Sequence, residues 1–115
     1  MSDATIDLAT FKELQETAGA EFVGELIGTF LEEAPVMLAD LRGALAAGDA
    51  DRFRRAAHSL KSNCNTFGAL ALGAMARDLE LSGLAKVVER GPQALDPVAQ
   101  EYAGVAAALA KLRDA

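Results

Sequence analysis

The run EFVGELIGTFLEEAPVMLADLRGAL, Glu21 to Leu45, decides the fold class. Its apolar residues Phe22, Leu26, Ile27, Phe30, Leu31, Ala34, Leu38, Leu41 and Leu45 recur at steps of three and four. That is the period of one helix face, not the alternation of a strand. Pro35 interrupts the pattern without ending it, so the choice is between a kinked continuous helix and two helices joined at Ala34, and the kinked helix is the one expected. Acidic residues such as Glu32 and Glu33 solvate the outer face. An amphipathic helix of this length must bury its stripe against other helices, and the flanking sequence supplies them.

Upstream, Asp7 can cap a short helix over residues 7 to 17, with Ile6 and Phe11 spaced as a hydrophobic staple across the cap. Downstream, Gly48 suits the left-handed position after a helix, and Asp49 or Asp51 the cap of the next, which runs to about Thr66. Gly68 marks another break. Leu72, Met75, Ala76 and Leu79 then form a fourth stripe that fades around Ser82 and Gly83. Residues 83 to 92 read as a looser connection with a helical turn at Lys86 to Glu89. A last helix carries Leu95, Val98, Tyr102, Val105, Leu109 and Leu112 as a heptad-like seam. The expected fold is all-α, an up-and-down four-helix bundle with an additional short N-terminal helix. With 115 residues there is room for one domain, 1–115, and no internal repeat or low-complexity tract divides it.

Composition agrees and excludes whole classes of function. Hydrophobic residues make up 51% of the chain, and only 3 are proline. The net charge is -6, from 11 basic and 17 acidic residues. Such a balance cannot readily supply the broad cationic surface that phosphate neutralisation requires, so nucleic acid is not an expected partner. The single cysteine excludes an internal disulfide, and Met1 to Asp7 lacks the basic and apolar regions of a signal peptide. A cytoplasmic location is expected. Charges interrupt every apolar run before it reaches the roughly 20 residues of a membrane span.

The chain contains 1 histidine, His58. On a helical wheel Asp51, Arg54, Arg55, Lys61, Ser62 and Asn65 fall within roughly 60° of it. Phe53, Ala56, Ala57, Leu60, Cys64 and Phe67 lie on the opposite side and form the core face. A lone histidine in an apolar-rich chain is ordinarily a buried, hydrogen-bonded residue, but helical phase places this one in solvent. A solvated imidazole titrates near neutrality, so much of it is neutral at pH 7, and neighbouring cations favour that nucleophilic form. Arg54 one turn before and Lys61 one turn after make a local basic patch suited to an anion. A phosphoryl group there would bring about two negative charges, each nearby cation contributing on the order of 1 kcal/mol. An ordinary solvated histidine on a solvated helix face is the alternative that periodicity leaves open.

The string from Ala57, Ala-His-Ser-Leu-Lys-Ser-Asn-Cys-Asn-Thr-Phe-Gly-Ala, closely resembles the signature of histidine phosphotransfer (HPt) domains. The likeness extends to Phe30–Pro35, to the Ala46–Asp49 turn and to Leu79-Glu80, and so covers most of the chain. It implies that His58 accepts a phosphoryl group, that Lys61 steadies its charge and that Gly68 leaves space beside the modified ring. Many members carry glycine one turn after the histidine, where this chain has Ser62, whose hydroxyl could bond a phosphoryl oxygen. Arg54, Arg55, Ser62 and Asn65 are the further candidates for phosphoryl or partner contact. The implied partners are receiver domains, of a hybrid kinase upstream and a response regulator downstream. Mg²⁺ would sit on the receiver, and this chain would act without a cofactor, as a monomeric carrier with no kinase activity of its own.

Other constellations fail on spacing. Gly68 to Gly73 matches a phosphate-binding loop only in its glycines, with Ala74 and Met75 where Lys and Ser/Thr belong. One histidine and one cysteine on opposite sides of a helix cannot hold zinc. A hydrolase built on His58 would need a nucleophile and a cleft, and neither is visible. Cys64 belongs to the core. A helical adaptor that binds a signalling partner through an amphipathic face, without phosphorylation, remains the competing function.

Overall fold

The computed structural model describes residues 5–114. Its helices are α1 (Leu8–Ala18), α2 (Ala20–Ala47), α3 (Ala50–Phe67), α4 (Leu70–Glu89) and α5 (Asp96–Asp114). Asp7 caps α1 by accepting from Thr10 N at 3.2 Å, with Ile6 and Phe11 both buried across the cap as the staple requires. Of the two candidate caps for α3, Asp49 is the one used, its carboxylate accepting from Arg52 N at 3.1 Å. The long helix α2 runs unbroken through Pro35. Tertiary packing along its buried stripe of Val23, Ile27, Phe30, Ala34, Leu41 and Ala44 offsets the missing N–H.

The helices α2 to α5 close a four-membered ring of packed neighbours, α2 on α3, α3 on α4, α4 on α5 and α5 back on α2, while α1 covers α2 and α3. The apolar face of α3 enters the centre, where Phe53, Ala57, Leu60 and Cys64 have no exposed surface. Each large side chain buried this way contributes roughly 1.5–3 kcal/mol. Phe30 joins three helices, its ring centroid 5.4 Å from Phe67 on α3 and 6.1 Å from Tyr102 on α5. Burial pushes the Cys64 thiol up to about 12, which makes it packing material rather than a reactive group. Among the described residues no helix is long and apolar enough to cross a membrane.

Two expectations need correction. Phe22 follows the α2 period but is 52% exposed, because by helical phase it lies at the edge of the buried stripe. The segment after Ser82 is not a loose connection. Gly83 breaks α4 with φ 81° and ψ 164°, yet the chain resumes a helix through Glu89. Fully buried Val87 pins that second piece to the core, and Arg90 ties it back, bonding Asp78 Oδ2 and Ser82 Oγ, each at 2.8 Å.

The reversal between α3 and α4 is the tightest junction. Gly68 N donates to Asn65 O at 3.3 Å and Ala69 N to Cys64 O at 2.8 Å, the paired bonds of a Schellman ending. Gly68 has φ 86°, and a Cβ on it would stand 2.7 Å from the Asp7 carbonyl, which packs on the turn from α1. Asp7 N in turn donates to Gly68 O at 2.7 Å. Gly68→Ala is therefore expected to cost about 2 kcal/mol from the left-handed backbone and the crowding of Asp7 together. The check is urea unfolding, with a lower midpoint at an unchanged slope.

Candidate functional site

Ala69 is the centre of the α3–α4 hairpin, and residues equally far from it meet across the seam. Asn65 and Gly73, four positions on either side, touch, the Asn65 amide lying over the hydrogen face of the glycine. His58 and Glu80 are eleven positions on either side, and His58 Nδ1 lies 2.9 Å from Glu80 Oε2. Lys61 Nζ reaches the other oxygen, Oε1, at 3.0 Å. That contact has the distance of an ion pair but not the direction of a hydrogen bond, so Oε1 is held by charge alone. The side chain of Glu80 is 16% exposed, that of Lys61 24% and that of His58 56%. The site thus has a sunken carboxylate, a cation against it and an imidazole standing out into solvent.

The Lys61 ammonium first, and the His58 ring second, hold the Glu80 carboxyl below its ordinary range, partial burial opposing them. Glu80 therefore stays ionised at neutral pH and can only accept. The bond to it must come from Nδ1–H, which in the neutral ring puts the lone pair of His58 on Nε2, the nitrogen turned away from Glu80. The arrangement is a carboxylate–imidazole pair of the kind that fixes a tautomer and stabilises charge developing on the ring.

The other expected residues divide. Ser62 is exposed one turn beyond His58. Arg54 and Arg55 share the face but both close on Asp51, at 2.9 and 3.0 Å, and lower its pKa, so the basic patch is partly neutralised within α3. Asn65 is engaged in packing over Gly73. Gly68 is not beside the ring at all. It lies ten residues from His58, about 15 Å along a helix at 1.5 Å per residue, and its open side is filled by α1. Its glycine is needed for the turn. Among the described residues no three of His, Cys, Asp and Glu are grouped to hold a metal ion.

The chain that carries this site is matched by known proteins. The family model described as Hpt domain matches residues 25–115. The chain belongs to the Hpt domain family. The crystal structure of histidine-containing phosphotransfer protein B (HptB) from Pseudomonas aeruginosa PAO1 superposes with a TM-score of 0.86 at 30% identity, over 96% of this chain and 95% of that one. Sensor protein TorS of Escherichia coli (strain K12) is 31% identical over 67 residues, which are 58% of this chain and 7% of TorS. The all-α bundle expected from periodicity is thus the fold of this Hpt domain and of HptB alike.

Glu80 is the functional residue that periodicity alone does not single out. In this Hpt domain it sets which nitrogen is available. The ring of His58 is expected to carry its proton on Nδ1 in the native protein and to shift toward the Nε2–H form in Glu80→Ala. Long-range ¹H–¹⁵N spectra of the imidazole report this directly, and an identical tautomer in both proteins would remove the role assigned to Glu80.

Proposed function

We propose that this Hpt domain is a phosphorelay intermediate, accepting a phosphoryl group on His58 from the aspartate of one receiver domain and passing it to the aspartate of another. The observation that carries the reading is the His58–Glu80 bond, which leaves a solvent-facing nucleophile on Nε2 in a chain of this family. The Nε2 lone pair attacks phosphorus, the N–P bond forms as the P–O bond to the aspartate breaks, and the carboxylate departs with the electron pair. Nδ1 keeps its proton on Glu80 throughout, so the step needs no general base to remove one. The reverse sequence against a second receiver completes the relay. Mg²⁺ belongs to the acidic pocket of the receiver, where it would neutralise the transferring group.

Lys61 has two anions to serve. In the resting site it neutralises Glu80 at 3.0 Å, and a phosphoryl group on His58 would add about two negative charges beside that carboxylate. Shared between them, the ammonium lowers the repulsion that would otherwise expel the group.

The test mixes the protein with a phosphorylated receiver and follows acid-labile, base-stable label. Wild type is expected to gain it and His58→Gln to gain none. Binding without label would instead favour the adaptor, and ATP alone should label nothing. A second expectation concerns Lys61→Ala, which should shorten the phosphohistidine lifetime or slow transfer by about fivefold to tenfold, on the order of 1 kcal/mol. Its circular dichroism should match wild type, and unchanged kinetics would reduce Lys61 to an ion-pair partner of Glu80.

A further inference from the structure

Arg54, Arg55 and Lys61 on the His58 face of α3 and Arg77 on α4 are the cations on this side of the molecule. Three of them are engaged, Arg54 and Arg55 with Asp51 and Lys61 with Glu80. Among the described residues Arg77 has neither an ion-pair nor a hydrogen-bond partner, and it is exposed. Its place follows from the hairpin. Arg77 is eight positions after Ala69 as Lys61 is eight before, so it stands across the seam from Lys61, one turn from Glu80.

The same edge of α4 is apolar on either side of that guanidinium. Leu70 is 46% exposed and Leu81 69% exposed, and Ala74 is exposed between them. On a helical wheel the four residues span about 60°. A charged group flanked by exposed leucines beside a reactive side chain has the make-up of an interface margin, where apolar contacts hold and rim charges steer.

We infer that this edge of α4 is part of the surface that docks the receiver domain, with Arg77 meeting acidic side chains at the rim of the receiver's phosphoacceptor pocket. The inference rests on the relay reading, which supplies the chemistry of the partner. Charge complementarity selects the occupant. A chain of net charge -6 repels an acidic partner at long range, and each of these α3 cations is already engaged by a carboxylate, Arg54 and Arg55 sharing that of Asp51. The guanidinium on α4 is the one near His58 that can offset this repulsion at the site. Helical side chains tilt toward their own N-terminus, which carries Arg77 toward Ser62 and Asn65 rather than toward Nε2. It is a docking residue and does not reach the phosphoryl group.

A rim cation acts on association and is screened by salt. At low ionic strength Arg77→Gln is expected to raise the KM for phosphorylated receiver, and the Kd for unphosphorylated receiver, by about threefold to tenfold, with the saturating transfer rate unchanged. The difference should close in high salt, and Arg77→Lys should restore most of it. Lys111→Gln, in the groove between α1 and α5, is the charge control and should behave as wild type. Leu81→Ser should raise both constants by about threefold at either salt concentration. Arg77→Gln equal to wild type at low salt would overturn the inference, as would a loss that persists in high salt, a loss matched by Lys111→Gln, or an unaltered Leu81→Ser. Should wild type bind receivers without gaining label, the relay reading fails while the Kd series still scores the surface. Absence of both binding and label across the receivers of the same genome would end both.

Discussion

The chain turns back on itself at Gly68 and Ala69, and nearly everything of chemical interest depends on how sharply it does so. A Schellman ending closed by Ala69 N on Cys64 O leaves no slack between α3 and α4. The two helices then run as a ruler folded at one point, and side chains pair by their distance from the fold. Had the link been a flexible loop of several residues, the register would be free to slip and Glu80 could face any of several α3 positions. The buried apolar faces fix rotation about each helix axis, and the turn fixes translation. Together they set a carboxylate under an imidazole eleven residues from the corner. The docking of Asp7 on Gly68 extends the same constraint to α1, which explains why a short helix with little core of its own is ordered.

The electrostatics of the site are a compromise that one carboxylate has to serve. Glu80 must be ionised to hold the Nδ1 proton, and it is, kept so by Lys61 and by the ring itself. Because its pKa is depressed in the folded state, what it contributes is present above the ordinary carboxylate range. That contribution is lost as pH falls through the lowered value, so the pairing survives well into mild acid. The same charge is unfavourable to a phosphoryl group on the neighbouring nitrogen. A fully exposed Glu80 would be screened by water and would orient the ring poorly. At 16% exposure it orients the ring, and in the proposed phosphorylated state it would need a dedicated cation beside it. Lys61, itself mostly covered, sits where it can answer to both anions.

Much of this was legible in the sequence, and the reasons are local. Helical phase depends only on residue order, so it placed His58 in solvent and Phe53, Leu60 and Cys64 in the core. Caps and staples are equally local, and Asp7, Ile6 and Phe11 read true. What periodicity cannot convey is pairing between helices. Glu80 carried a family likeness but no task, because its partner is 22 residues away and the link appears only once Ala69 is known to be the centre of a tight hairpin. The space assigned beside Gly68 failed for the same reason, since the glycine answers to α1, a contact across more than 50 positions of sequence. The stretch after Gly83 looked loose because its stripe is short. Val87 and the bonds of Arg90 to Asp78 and Ser82 supply the order from outside the segment.

The division of exposure within the site is what suits it to transfer rather than to retention. A carrier must present its nucleophile to a partner and must not enclose the product, for a group buried on arrival would have to be released against the same contacts that stabilised it. Here the orienting half, Glu80 and Lys61, is mostly covered, while the His58 ring stands out into solvent. The rigid part fixes which nitrogen faces the carboxylate, and the exposed part leaves the remaining contacts to a partner. In the relay proposed above, that division would let the same imidazole act as acceptor against one receiver and as donor against the next, without any change in the fold that holds it.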